Sequence, residues 1–361
     1  MTTLLVINPG STSTKVALFR EEQMVWAENL RHDERELARF PTIHSQLQCR
    51  APAFRLAAIR DLAAQKGLDL SSLDAVVARG GMLRPIPGGT YAVNEPMLQD
   101  LADNVGGEHS SNLGAWLGHD IADRLGIPVF IVDPVAVDEF EPLARISGLP
   151  ELPRRSLGHM LNIKAIARRA AGDLGKTHDT VRLVVAHLGS GISVCAYRDG
   201  RIIDINNANA EGPFSPERAG GLPSAEVIRI CFSGKYSEQQ IKDKVLRNGG
   251  LKAYLGTGDA REIEARIEAG DEKASLVFEA MAYQIAREIG AMSTVLKGAL
   301  DAIVLTGGLA HSRWLVDEVR RRVAFLGLVM VYPGEDELEA LVDGALRVLR
   351  GEEPAREYRP V

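Results

Sequence analysis

The chain has 361 residues, 45% hydrophobic and 25% charged, which suits about two ordinary globular domains and excludes a largely disordered chain. Its 42 Lys and Arg against 48 Asp and Glu give a formal charge of -6, so no global field directs it to nucleic acid. The longest apolar runs, such as 183–186 and 302–305, fall far short of the ~18 residues that span a bilayer, and the start turns polar by residue 8 without the pattern of an export signal, so a cytoplasmic location and no membrane partner are expected.

Leu4 to Ile7 is apolar, NPGSTST is a polar turn, and Lys15 to Phe19 alternates, which reads as a β-hairpin with a tip of small residues. A second apolar run, Ala75 to Ala78, leads directly into Arg79-Gly80-Gly81. In IVDPVAVDEF, Asp133 and Asp138 follow another strand, where carboxylates either orient a hydrated Mg²⁺ or bond within the loop. The hairpin theme recurs at Leu183 to Ala186, HLGSGIS and Val194 to Tyr197, with Asp199-Gly200 turning into Arg201 to Ile203. Placing Asn8 on His187 aligns Gly10 with Gly189 and Ser11 with Ser190, a weak repeat that suggests two related domains.

The clearest helix runs from about Asp271 to Lys297, with Ala274, Val277, Phe278, Met281, Ile285, Ile289 and Met292 forming an apolar stripe and Gly298 a stop. A strand at 302–305, the turn Thr306-Gly307-Gly308 and a helix through Val316, Val319 and Val323 follow. A last helix begins near Asp336 and carries Leu338, Leu341, Val342, Ala345 and Leu349. Short strands alternating with helices define an α/β protein. Cys49, Cys195 and Cys231 are widely separated and read as small buried apolar residues, not as a disulfide framework or zinc site.

Three turns rich in glycine and hydroxyls, 8–15, 187–193 and 306–310, follow apolar strands, a setting in which backbone amides approach phosphate oxygens closely. There is no GxxxxGK[ST], GSGISV lacks the last glycine of GxGxxG, and HExxH is missing, which disfavours P-loop enzymes, dinucleotide dehydrogenases and zincins. Arg79, and Arg218 in GPFSPERAGG, suit bidentate carboxylate or phosphate contacts, the alternative for each being an ordinary salt-bridged arginine. His187 opens a glycine turn, where it either faces a ligand or satisfies a local hydrogen bond.

Taken in order, these motifs resemble the acetokinase family of the sugar kinase, Hsp70 and actin superfamily. VINPGSTSTK is similar to the opening strand and turn, HLGSGIS to the second phosphate turn and LTGGLA to the adenosine-side turn. ARGGMLRPIPGGTYAVNE, GEHSSNLGA, FIVDPVAVDEF, ARISGLPE, EGPFSPERAGGLP, AYLGTGDARE and VYPGEDELEALVDGALRVL look like the butyrate kinases within that family. The resemblance implies two duplicated actin-like, ribonuclease H-like α/β domains with ATP in a cleft between them. Residues 1–155 with 336–361 would form the acyl-substrate side, and 156–335 the nucleotide side. It also implies reversible, Mg²⁺-dependent phosphoryl transfer between ATP and butanoate, giving butanoyl phosphate and ADP, in a homodimer or higher homo-oligomer.

Family roles carry over to matching positions. Asn8 and Lys15 fall in the first phosphate turn, and His187, Gly189 and Gly191 in the second. Arg218 would stabilise the transferring phosphoryl group; Asp259 and Arg261 would contact nucleotide, and Gly307 and Gly308 adenosine. Arg79 would hold the substrate carboxylate, although VVARGG departs from the acetate kinase pattern at this point, and Asp133 would lie on the substrate side. The Mg²⁺-associated groups would be Asn8 and Asp336, or a neighbour of Asp336 in Glu335-Asp336-Glu337. His109 and His159 occupy histidine regions of the family without an assigned duty.

A carboxylic acid with a pKa near that of Asp or Glu is ionised at pH 7 and needs no strong general base. Direct in-line transfer is therefore expected, with Arg79 on the carboxylate and Arg218 and His187 on the phosphoryl charge. A methylene is worth only ~1–3 kcal/mol of discrimination, so isobutyrate and other short acids are the runner-up substrates. An actin- or Hsp70-like ATPase is the alternative from a different class, and a sugar kinase would call for a carboxylate base.

Overall fold

The computed structural model describes residues 1–40, 42–48 and 53–360, so Cys49 lies outside the described residues. The chain divides into two compact units, Met1–Asp138 with Asp336–Val361, and Glu139–Glu335. The first unit thus ends before the expected boundary at 155, because segment 139–155 is tied to the second. The Glu139 carboxylate accepts from Lys164 Nζ at 2.9 Å and from the Ile202 amide at 2.8 Å. The Glu141 amide donates to Ile203 O, and Arg154 pairs with Asp204 and Glu211.

Among the described residues the first unit carries a seven-stranded sheet in the order β12-β5-β6-β4-β1-β2-β3. Its strands are β1 (Thr3–Pro9), β2 (Ser13–Arg20), β3 (Gln23–Arg31), β4 (Ala75–Arg79), β5 (Thr90–Ala92), β6 (Val129–Val132) and β12 (Arg356–Glu357). The second unit has β7 (Leu183–Leu188), β8 (Ile192–Arg198), β9 (Arg201–Ile205), β10 (Ala302–Gly307) and β11 (Val329–Pro333), in the order β11-β10-β7-β8-β9. In each unit the opening strand pairs antiparallel with the second and parallel with the fourth, and the fourth pairs parallel with a later strand, β6 or β11. The run β3-β2-β1-β4-β6 therefore repeats as β9-β8-β7-β10-β11, in order and in direction.

The central strands read as continuous apolar runs because both faces are covered. Leu4 to Ile7 and Leu183 to Ala186 are fully buried. The helix Glu272–Val295 lays Val277, Phe278, Met281, Ile285 and Ile289 into the second core, and Phe278 stacks on Trp314 with ring centroids 4.9 Å apart. Burying each such side chain contributes roughly 1.5–3 kcal/mol. Its N-terminus is capped by Asp271, whose Oδ1 accepts the Ala274 amide at 2.9 Å, and Gly298, at φ 73°, follows its end.

The helix Glu337–Leu349 belongs to the first unit because its buried residues Leu338, Leu341, Val342 and Ala345 pack on that sheet. Thr90 Oγ1 donates to Gly344 O, and a side chain at Gly344 would run into Val132. The cysteines differ from each other. Cys195 is buried in β8, where desolvation pushes its thiol up to about 12. Cys231 is exposed, contrary to the expectation, because the helix Ser224–Cys231 buries none of its side chains. Among the described residues no helix is long and apolar enough to cross a membrane.

Candidate active site

Both opening hairpins place functional side chains at the C-terminal end of the central strand. In the first unit Asn8 lies directly opposite Lys15 in the β1–β2 ladder, so the two share one face. Asn8 Nδ2 donates to Glu337 Oε2 at 2.8 Å, and the other oxygen of that carboxylate pairs with Arg79 Nη1. Arg79 ends β4, and its Nε is buried without a hydrogen-bond partner among the described residues. The loop after it is tight. Asn112 Oδ1 accepts the Met82 amide at 2.7 Å, and there is no room for a Cβ at Gly80 against Pro134 or at Gly81 against Asn112.

Asn8, Arg79 and Glu337 therefore form one cluster, with Lys15 opposite Asn8 on the neighbouring strand. The carboxylate beside Asn8 is Glu337, not Asp336; Asp336 stands at the start of the helix in a left-handed conformation, φ 41°, with no side-chain cap. Asp133 is 4% exposed and its Oδ1 accepts the Gly89 amide at 2.7 Å, so it fixes a loop between strands. His109 Nδ1 lies 2.6 Å from Ser111 Oγ, at the start of the helix Asn112–Ala122.

Arg55, on the helix Ala53–Gln65, was not among the candidates. It is wholly buried beneath the first turn, and its guanidinium donates to the carbonyls of Gly10, Ser11 and Ser13 at 2.9–3.1 Å and to Thr14 Oγ1 at 3.0 Å. Nε donates to Gln46 Oε1 at 3.0 Å. The periodicity that marks Ile59 and Leu62 as core also puts Arg55 on the buried face, one turn earlier. Thr14 Oγ1 also lies 2.8 Å from His32 Nε2. Burial first, and the Arg55 charge second, hold His32 down at about 4.

In the second unit His187 is the last residue but one of β7, 1% exposed, with Nδ1 2.8 Å from Asn162 Oδ1 and Nε2 3.8 Å from Glu335 Oε1. Asn162 Nδ2 donates to Glu335 O at 2.8 Å, so one amide orients both groups. The His159 ring stacks on His187 with centroids 3.8 Å apart, and its Nδ1 lies 3.0 Å from Ser193 Oγ. Asn162 was missed because it sits in a buried helical run, Met160 to Lys164, where periodicity reads only core.

Arg218 reaches the second turn through a small loop. Ser215 Oγ donates to Ser190 O at 2.5 Å and accepts the Arg218 amide at 3.1 Å, while the Ser215 amide donates to Arg218 O. The Arg218 guanidinium lies against Gly191, leaving no room for a Cβ there. Burial lowers its pKa, opposed by the charge of Glu217. Gly307, φ 91°, lies so close to the Leu188 carbonyl that a side chain would collide.

Around these turns opens a pocket of about 760 Å³, whose lining includes Gly189, Asp259, Arg261, Gly308, Ser312 and Glu335. Asp259 caps the helix Ala260–Glu268, its Oδ1 accepting the Arg261 amide at 2.9 Å and its Oδ2 the Arg261 guanidinium at 2.8 Å. The Arg261 side chain first, and the helix amides second, hold Asp259 down at about 2. Glycine turns, exposed amides and a helix start suit a polyanion with an attached base. Among the described residues there is no cluster of three or more metal-ligating side chains.

The model of the acetokinase family matches residues 153–338. The chain is 53% identical over 98% of its length, and 99% of the relative's, to probable butyrate kinase 2 of Caldanaerobacter subterraneus subsp. tengcongensis. The chain belongs to the acetokinase family. Its fold is that of the acetate kinase of Porphyromonas gingivalis, with a TM-score of 0.80 at 19% identity, covering 97% of this chain and 100% of that one. A propionate kinase of Francisella tularensis subsp. tularensis SCHU S4 also matches, with a TM-score of 0.74 at 18% identity over 95% and 99% of the two chains. Each unit is thus an actin-like α/β domain.

A histidine with a lowered folded pKa binds its proton in the unfolded chain first, so its contribution is complete above about 6.5 and is lost as pH falls toward about 4. Urea unfolding midpoints should therefore drop between pH 6.5 and 4.5 more steeply in the wild type than in His32→Gln. Equal slopes would mean that His32 is not held neutral.

Proposed function

We propose that the chain transfers a phosphoryl group reversibly from ATP to the carboxylate of butanoate, giving butanoyl phosphate and ADP. The observation that carries this reading is 53% identity along the whole chain to a relative named as a butyrate kinase. The second-unit pocket supports it, because it gathers Gly189, Asp259, Arg261 and Gly308 from three separate segments. ATP is an intracellular substrate, and we place the activity in the cytoplasm.

A butanoate oxygen attacks the γ-phosphorus as the bond to the ADP oxygen breaks, and the bonding electrons leave with ADP. No proton moves, so the protein must bring anions together. Arg79 holds the butanoate carboxylate; its buried Nε–H is a donor with no other described partner. In this structure Arg79 pairs with Glu337, so substrate binding requires that ion pair to be shared or exchanged. Arg218 and His187 meet the phosphoryl charge, with Asn162 orienting the imidazole. The amides of the second hairpin's turn line the phosphates.

The Glu337 carboxylate, flanked by the Asn8 amide, fits Mg²⁺, which takes one or two carboxylates together with substrate phosphates. When bound it would neutralise phosphate charge. We further propose a homodimer. The run with exposed Leu222, Ile228, Ile230 and Phe232 supports self-association, since clustered apolar side chains mark contact surfaces. Light scattering should give twice the chain mass, and Phe232→Asp should shift it toward the monomer; a monomeric wild type would end this reading.

Hydroxylamine trapping of acyl phosphate over C2 to C6 acids should peak at butanoate, with isobutyrate and valerate within ~200-fold because methylene discrimination is weak. ADP release independent of every acid would point instead to an actin-like ATPase. Arg218→Ala should lower kcat about 10³-fold or more with the fold preserved, as for other arginines that stabilise a phosphoryl transition state. Near-normal turnover would remove Arg218 from that role.

A further inference from the structure

We propose that Arg55 is the positioning residue of the first phosphate turn, aiming the Ser11 and Thr12 amides at the anionic oxygens of the phosphoryl group in transfer. The proposal rests on the phosphoryl-transfer reading and adds a residue to it. The geometry begins with the guanidinium, which is wholly buried and grips the inner side of the turn through Gly10 O, Ser11 O and Ser13 O. In a trans peptide the N–H points opposite to the C=O of the same unit. Holding the Gly10 and Ser11 carbonyls inward therefore turns the Ser11 and Thr12 amides outward. Both residues are exposed, and neither amide donates to another described residue.

The charge balance points the same way. Among the described residues no carboxylate pairs with Arg55, whose acceptors are three carbonyls, a hydroxyl and the Gln46 amide oxygen. A wholly buried cation without an anion is costly, and desolvation lowers Arg55 to about 10. An anion on the outer side of the turn supplies the missing counter-charge through a single layer of peptide dipoles. A purely mechanical staple between helix and hairpin needs no positive charge. The Thr14 hydroxyl, shared between Arg55 and His32, extends the same grip to the residue before Lys15.

The test compares the wild type with Arg55→Lys, which keeps the charge but loses the planar fork, and with Gln46→Leu, which leaves Arg55 in place but frees its Nε. Steady-state constants are measured for butanoate and MgATP. Calorimetry then measures binding of MgADP with and without aluminium fluoride, a mimic of the transferring phosphoryl group. Arg55→Lys should lower kcat by ~10²-fold, the scale of an ångström of misplacement, with the KM for butanoate within about twofold. It should weaken the aluminium fluoride complex by a similar factor while MgADP binding stays unchanged.

Gln46→Leu should shift the same two readings in the same direction by about tenfold. A folded Arg55→Lys with wild-type kcat overturns the proposal, as does equal loss of MgADP and aluminium fluoride binding. If Arg55→Lys does not fold, an unchanged kcat in Gln46→Leu overturns it. The calorimetry needs no acid, so it tests Arg55 even if the wild type phosphorylates none. That last outcome would count against the kinase reading alone.

Discussion

Each unit is organised by a central strand that is paired on both sides, antiparallel to its hairpin partner and parallel to a later strand. A strand so placed has no free edge and no exposed face, so it must be apolar throughout and can meet a ligand only at its end. Asn8 and His187 occupy those ends, and the turns that follow present glycines and hydroxyls. Chemistry is confined to the C-terminal mouth of each sheet because the rest of the strand is committed to pairing and packing. The duplication repeats this constraint twice in one chain.

A chain of net charge -6 that handles anions has to concentrate cations locally, and the buried or half-buried Arg55, Arg79 and Arg218 are held by different means. Arg79 is paired with the Glu337 carboxylate, which is itself bound by Asn8. Arg218 sits against Gly191 on a loop fixed by Ser215, with the charge of Glu217 opposing the effect of burial. Arg55 is held by carbonyls alone on one side of a turn. Among the described residues, then, the first charge is held in an ion pair, while no carboxylate forms one with the other two.

Much of this was legible in the residues. The hairpins at 4–19 and 183–203, the long stripe from Ala274 to Met292 and the last helix after Asp336 follow from periodicity, which depends on neighbours a few residues away. Glycine turns after apolar strands marked Gly189, Gly191 and Gly308 for the same reason. Glu337 was blurred among three adjacent carboxylates, since nothing in an acidic triplet says which one faces Asn8, 329 positions earlier. Arg55 and Asn162 were invisible as functional groups because their partners lie 42–45 and 25 residues away. The expectation that Cys231 is buried fails because composition carries no information on which helix is left on the surface.

Local order is a property of short stretches: apolar period, capping side chains and glycine punctuation select strand, turn or helix before any distant contact forms. By itself, then, the sequence determined the α/β class, the two hairpins with their phosphate-type turns, and the residue types able to meet an anion. The tertiary structure alone decided that segment 139–155 joins the second unit and that Glu337 takes the place beside Asn8 and Arg79. It also decided that a buried arginine orients the first turn. Those choices depend on which surfaces remain to be covered once the strands have paired, and on where a buried charge finds acceptors, neither of which is encoded within any one segment.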